Sequence, residues 1–250
     1  MNRFKLKSTI QIISLGLWLI LLLFVAQIKM GTCHQFCPFS VVCFGPMNLL
    51  GYAAYLPTII IGLIITISVV FLGRKFCGYL CFLGTIQEYI HRLNKKKNKR
   101  RVPPNIHKFL NSLKYLYLLI VFIMAIMLIQ YKYLNLCPII AISFISSISV
   151  VGIISLIIIF LGSYFIDRFW CRYLCPYAAL MNIFQLIGKV FKIKRHMIKR
   201  NMEVCIDCYL CVKKCPMNID LTQYEVIDDP NCIHCLECIK ICPKDKCLTC

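Results

Sequence analysis

Eight of the eighteen cysteines fall in two matching runs in the last fifth of the chain. The first is Cys205, Cys208, Cys211 and Cys215, followed by Pro216; the second is Cys232, Cys235, Cys238 and Cys242, followed by Pro243. Both fit C-x2-C-x2-C-x3-C-P, a run whose thiolates hold [4Fe–4S] clusters. Three closely spaced thiolates wrap a tight loop around one cluster, and the fourth, before proline, turns away to the other. The spacing therefore predicts one cluster on Cys205, Cys208, Cys211 and Cys242, and a second on Cys232, Cys235, Cys238 and Cys215. A zinc site needs only four thiolates and usually pairs two C-x2-C motifs across a longer gap. Eight cysteines in two runs, each closed by Cys-Pro, favour iron–sulfur chemistry and the movement of single electrons. Thiolates kept for iron also imply a reducing compartment.

The other cysteines reveal a duplication. Arg74-Lys-Phe-Cys77-Gly-Tyr-Leu-Cys81 aligns without a gap on Arg168-Phe-Trp-Cys171-Arg-Tyr-Leu-Cys175. On a helix, residues four apart share a face, so each C-x3-C would point one way, and two packed copies would bring four thiols together. Such a group suits a third iron–sulfur centre or a metal; the alternative is that small, polarizable Cys side chains pack between helices. Upstream of each pair stands an outer Cys-Pro, Cys37-Pro38 and Cys137-Pro138. Cys33, Cys37, Cys43 and Cys137 suit a disulfide, Cys33 with Cys37 or Cys37 with Cys137, or a second redox site with His34 as an added ligand. Cys247 and Cys250 read as a frayed tail with free thiols.

These motifs need elements to hold them. The chain is 60% hydrophobic with a mean hydropathy of +0.74, above the roughly 45–50% apolar share of soluble domains. Four apolar blocks near the length that crosses a bilayer lie at about 9–28, 56–72, 115–131 and 148–166. The stretch from Arg74 to Lys114 and the stretch after Arg168 are rich in Lys and Arg, whereas the opposite loops carry only Lys29 and Lys132. The positive-inside rule then puts both termini and the paired cysteine runs in the cytoplasm. The formal charge of +19 follows from that rule, and no nucleic-acid recognition motif accompanies it. No Asp, Glu, Lys or Arg lies within the four blocks, which argues against ion transport. None of the five histidines is near mid-span, which argues against a bis-His haem.

The expected fold is thus an all-α membrane domain, 1–180, of four transmembrane helices in two two-helix parallel repeats. A basic membrane-surface linker, 181–200, would lead to a small α+β module, 201–250, of the two-cluster bacterial ferredoxin kind. The four spans, the inner C-x3-C pairs and the C-terminal cluster runs resemble the NapH-type membrane polyferredoxins, with related modules in NosR-like and YccM-like proteins. The resemblance covers nearly the whole chain; Phe82 stands after Cys81 where that family often has proline, as Pro176 does after Cys175. It implies a non-catalytic electron-transfer subunit of the inner cell membrane, multi-pass in the bilayer. Such a subunit relays electrons between a cytoplasmic carrier or quinol and a redox partner at or across the membrane. Partners implied are quinol or quinone, a ferredoxin, or a multihaem or flavin subunit, and no nucleic acid. The alternative reading is a redox sensor, or a maturation or metal-handling accessory of an exported reductase.

Overall fold

A computed structural model of the chain describes residues 3–28, 41–42, 56–94, 102–127, 138, 141, 150–193, 197–244 and 246–249. The outer cysteines Cys33, Cys37, Cys43 and Cys137, His34 and Cys250 lie outside these residues. The described chain is mostly helical. In order come α1 (Arg3–Ile28), α2 (Leu56–Leu72), α3 (Lys75–Tyr79), α4 (Phe82–Leu93), α5 (Pro104–Ile126), α6 (Val150–Phe165), α7 (Phe169–Tyr173) and α8 (Pro176–Val190). The C-terminal part adds β1 (Ile198–Arg200), α9 (Leu210–Lys214), a 3-10 turn (Leu221–Gln223), β2 (Val226–Ile227), α10 (Glu237–Ile241) and β3 (Leu248–Thr249).

Among the described residues one helix, Pro104–Ile126, is long and apolar enough to cross a membrane, and shorter apolar helices run over Leu6–Ile20, Ile59–Leu72 and Val150–Phe165. Helix α5 starts upstream of the expected 115, so Lys114 is interior to it; the side chain is fully buried, and its Nζ donates to the side-chain oxygens of Asn111 and Asn231. Large apolar side chains of α2 and α6, among them Ile60, Ile64, Ile67, Ile154, Ile158 and Leu161, are exposed.

The duplication appears as an exchange. Helix α4, which follows the first inner motif, packs on α6 of the second copy; α8, which follows the second motif, packs on α2 of the first. Contact is close where α8 meets α2: a Cβ on Gly188 would sit 2.8 Å from a methyl of Val70. The inner motifs are not continuous helix. Helix α3 ends at Tyr79 and α7 at Tyr173, and Cys81 and Cys175 are the extended N-caps of α4 and α8 (ψ 110° and 114°). The expected i, i+4 stacking of each C-x3-C is therefore replaced by a helix break at its second cysteine. In the second copy, Pro176 at the first position of α8 enforces that break.

The C-terminal part is a three-stranded antiparallel sheet in the order β2-β1-β3, with Ile198 opposite Ile227 and Arg200 opposite Leu248. The expected linker 181–200 divides differently. Helix α8 continues to Val190 with Asn182 and Gln185 buried, and β1 already belongs to the sheet. Both parts share one core: Cys77, Cys81, Cys171, Tyr177 and Met181 are contiguous with Ile198, Met217, Ile233 and Cys235.

A buried ion network clamps this assembly. Glu88 of α4 accepts from Arg168 at 2.6 Å and from Lys7 of α1 at 3.0 Å, and Lys7 reaches on to Glu237 of α10 at 3.2 Å. Gln11 donates to Glu88 and to the Gly78 carbonyl, and Ser14 donates to the Leu80 carbonyl. Lys7, Gln11 and Ser14 recur at helical spacing, so α1 turns one polar stripe inward. Burial opposes ionisation of Glu88, but Arg168 and Lys7 more than offset it and hold the carboxyl well below the usual carboxylate range. The contribution is then complete above the ordinary carboxylate pKa and is lost only as pH falls toward the depressed folded value. Glu88→Gln leaves buried Arg168 without its ion-pair partner and Lys7 with Glu237 alone, and is expected to cost about 3–5 kcal/mol. Denaturant unfolding of the purified chain at neutral pH measures this, and a loss below 1 kcal/mol would contradict the clamp.

Candidate iron–sulfur and thiol sites

Each cysteine run begins with the same backbone. Asp207 and Tyr209 in the first loop, and His234 and Leu236 in the second, have φ between 49° and 60°. Left-handed conformations are costly for residues with a Cβ, by about 1–3 kcal/mol each, and persist where the surroundings require them. Here they turn backbone N–H groups inward as an anion-binding nest. The Asp207 N–H donates to the Cys205 sulfur, that of His234 to Cys232, and that of Glu237 to Cys235. Such hydrogen bonds favour thiolates and tune iron–sulfur potentials.

The structure brings the cysteines into two rings. One cavity is lined by Cys205, Cys208, Cys211 and Cys242, the other by Cys215, Cys232, Cys235 and Cys238. The first ring is outward: Cys208 is exposed, and Cys205, Cys211 and Cys242 are half-buried. The second is lined by Ile198, Met217, Ile219 and Leu221 and is largely buried. Burial pushes Cys232 and Cys235 up to about 12, and Cys238 higher still. Bare thiolates are thus disfavoured there, and a bound cation must supply what water no longer does. Among the described residues no three His, Cys, Asp or Glu donors converge to hold a single metal ion. The nests, the two cavities and the donor set fit a [4Fe–4S] cluster in each ring.

The four inner cysteines are all buried, and Cys171 lies close enough to Cys77, Cys81 and Cys175 to act on each electrostatically. Cys81 and Cys171 face each other across the two copies; that contact and burial raise Cys81, whereas in Cys171 the same contact, with Arg168 and Arg74, outweighs burial and lowers the thiol. Cys171 also accepts from Gln87 Nε2 at 3.4 Å, and Cys77 contacts the Met181 sulfur at 3.6 Å. The register that aligns Arg74 with Arg168 aligns Gln87 with Met181 and Glu88 with Asn182. Both arginines are fully buried and cross between copies, Arg168 to Glu88 and Arg74 to Asn182 at 3.0 Å. Their charges face the thiols of Cys77 and Cys171. Nε and Nη2 of Arg74 and Nε of Arg168 have no hydrogen-bond partner among the described residues. Buried guanidinium N–H groups call for an anion; Cys171 is lowered beside them, while burial raises Cys77 and Cys175.

The second ring is seated directly on this group. A Cβ on Gly78 would lie 2.5 Å from the Ile233 carbonyl, and one on Gly73 (φ +66°) 2.4 Å from the His234 ring. The Tyr79 hydroxyl donates to the His234 carbonyl at 3.3 Å, and Asn182 donates to Asn231 at 2.9 Å. Arg168 acts on Cys235 of the second ring as well as on Cys171. Sequence reasoning missed Lys7, Gln11, Gln87, Glu88, Asn182 and Asn231. The shared register around Arg74 and Arg168 is the signal that could have found Gln87, Glu88 and Asn182.

Comparison with known proteins agrees with these sites. The 4Fe–4S binding domain family matches the chain twice, over 54–100 and 148–194, and the 4Fe–4S dicluster domain matches 196–243. The chain belongs to the ferredoxin-type 4Fe–4S proteins. It is 33% identical over 166 residues to an uncharacterized protein of Methanocaldococcus jannaschii, covering 64% of this chain and 66% of that one. It is 35% identical over 158 residues to the putative electron transport protein YccM of Escherichia coli, 59% of this chain and 43% of that one. It is 28% identical over 157 residues to the regulatory protein NosR of Pseudomonas aeruginosa, 59% of this chain and 21% of that one. The chain therefore spans less than two thirds of each of these relatives. No solved structure matches it.

Gly78→Ala puts a methyl into the Ile233 carbonyl, and overpacking of this kind costs about 1–3 kcal/mol. Hydrogen exchange over residues 231–236 is expected to rise about tenfold or more, with residues 198–200 unchanged. Equal protection in the variant would show that the two parts are not docked through this contact.

Proposed function

We propose that the chain is an iron–sulfur electron relay of the cell membrane, with two [4Fe–4S] clusters in the C-terminal rings and a third, four-thiolate centre on the inner cysteines. Cluster one is held by Cys205, Cys208, Cys211 and Cys242; cluster two by Cys232, Cys235, Cys238 and Cys215. The carrying observation is the docking just described: Arg168 faces both Cys235 and Cys171. Three thiol groups then lie in sequence, the exposed ring, the buried ring and the inner group. The clusters supply one-electron chemistry; the chain's own residues fix their order and exclude water from all but the first. Exposed Lys244 lines the outward ring and suits an acidic soluble carrier. The exposed apolar flanks of α2 and α6 support burial in lipid, with α1, α2, α5 and α6 as the four spans and both termini cytoplasmic.

The quinol arm of this reading is supported by a cleft of about 480 Å³ between the end of α2, α3 and the second ring. Its walls are Ile65, Leu72, Phe76 and Leu80, with Ser68, Tyr79 and His234 as polar groups. Apolar walls with few polar groups are the usual make-up of a small-molecule site, and His234 is the residue before Cys235. A second reading, a redox sensor or maturation accessory, is favoured by the direct Cys81–Cys171 contact and by relatives such as the regulatory protein NosR.

Anaerobic iron and acid-labile sulfide content, with EPR, decides among these. The wild type is expected to hold clearly more than about eight irons per chain, and the Cys77, Cys81, Cys171, Cys175→Ser variant about eight. About eight in both would sink the inner centre and favour thiol chemistry at Cys81 and Cys171. In the cleft, Leu80→Trp is expected to reduce quinol-driven reduction of the clusters at least tenfold, with dithionite reduction unchanged; equal loss with both reductants would remove the cleft from the pathway.

A further inference from the structure

Cys247 is not a frayed residue. It is 2% exposed and immediately precedes β3. Its carbonyl accepts from the Asn201 N–H at 2.8 Å, and its own N–H reaches the Lys244 carbonyl at 3.4 Å. Its residue lines the same cavity as Cys205, Cys208, Cys211 and Cys242. The thiol acts on both Cys205 and Cys242 across that cavity. The outward ring therefore contains five cysteines, one more than a [4Fe–4S] cluster takes. The inward ring is lined by four.

We propose that Cys247 is a reserve ligand of cluster one, able to take the place of Cys205. This rests on the two-cluster reading above. The exchange is a substitution without electron transfer. The Cys247 sulfur gives up its proton and forms an iron–sulfur bond; the bond from iron to Cys205 breaks, and the Cys205 sulfur takes the proton. The proton passes between the two sulfurs, which line one cavity. Cys247 already lines the cavity that Cys205 lines, so the exchange moves side chains within one cavity. The backbone anchors at Asn201 and Lys244 hold the residue beside the ring. Arg200, 8% exposed, contacts Cys205 and ion-pairs with Asp207, so a cation stands beside this edge of the ring whichever sulfur is ionised. The arrangement places a shielded thiol behind a half-buried one, at the cluster that solvent and oxidants reach first.

The test uses the full chain purified anaerobically, as wild type, Cys205→Ala, Cys247→Ala and the double variant. Alanine is used because a serine oxygen can itself ligate iron. Iron, sulfide and the EPR signals of the dithionite-reduced protein are read, with the cluster-two signal as the report on folding. Cys247→Ala is expected to match the wild type, Cys205→Ala to keep the same iron and sulfide with a shifted cluster-one EPR signal, and the double variant to lose cluster one, about four irons. A Cys205→Ala protein as depleted as the double variant would overturn the proposal, as would a double variant that keeps cluster one. A wild type without two [4Fe–4S] signals would instead overturn the reading on which it rests. A second measurement needs no variant. Ferricyanide treatment of the wild type until cluster one is lost is expected to leave Cys247 disulfide-linked to Cys205 or Cys242. Two thiols give two electrons to two ferricyanide ions and release two protons. Peptide mass spectrometry that finds Cys247 unlinked would also overturn it.

Discussion

A guanidinium with no access to water sets the terms for the rest of the molecule. Arg168 is fully buried with a left-handed backbone (φ 53°), and it leaves its own copy of the repeat to reach the Cys77 and Gly78 carbonyls and Glu88 of the other. A charge in that position is tolerable only if it is paired and hydrogen-bonded. Glu88 supplies the pairing, and Glu88 is in turn fixed by Lys7, which also holds Glu237 at the start of α10. One buried cation thereby ties together the N-terminal helix, both halves of the repeat and the C-terminal module. The same cation faces a cysteine of the inner group and a cysteine of the second ring, so structural clamp and candidate electron route coincide.

The cluster loops impose a second constraint of the same kind. Their left-handed turns at non-glycine residues are unfavourable alone, yet they occur at matching positions in both runs. What they provide is N–H groups aimed at sulfur. Burial alone would keep the second-ring thiols protonated. The energy of holding iron must therefore offset both the strained backbone and the desolvated thiolates, which makes cluster insertion part of folding. The outward ring, half in water, carries less of that cost.

Much of this was legible in the chain. The cysteine runs, the duplicated Arg-x2-Cys-x3-Cys and the small terminal module follow from spacing alone. The local geometry at the inner pairs was not legible, because a C-x3-C reads equally as one helix face or as a helix, a break and a cap. Pro176 marked the break in the second copy; Phe82 gave no such mark in the first. Lys7 was not legible as part of a site, because a basic residue ahead of an apolar run is ordinarily a topology signal; only the packed structure shows its buried partners. Cys247 read as a frayed end because the pairing of β3 with β1 depends on contacts distant in sequence.

The repeat is not symmetric, and the asymmetry bears on the inner thiols. Glu88 and Asn182 occupy the same position in the two copies and meet the two buried arginines. A carboxylate neutralises Arg168, whereas an amide gives Arg74 a dipole and no charge. Among the described residues Arg74 has no carboxylate in ion-pair contact, and its charge acts on Cys77 and Cys171. Neutral thiols packed for shape alone would not stabilise that charge, and apolar residues of similar size would serve such packing as well. A thiolate compensates it. Burial raises Cys77, Cys81 and Cys175 in spite of the arginines, whereas Cys171, which accepts from Gln87 and faces both Arg168 and Arg74, is lowered. The asymmetry of the repeat therefore singles out one thiol of the inner group, in the second copy, as the place where negative charge is favoured.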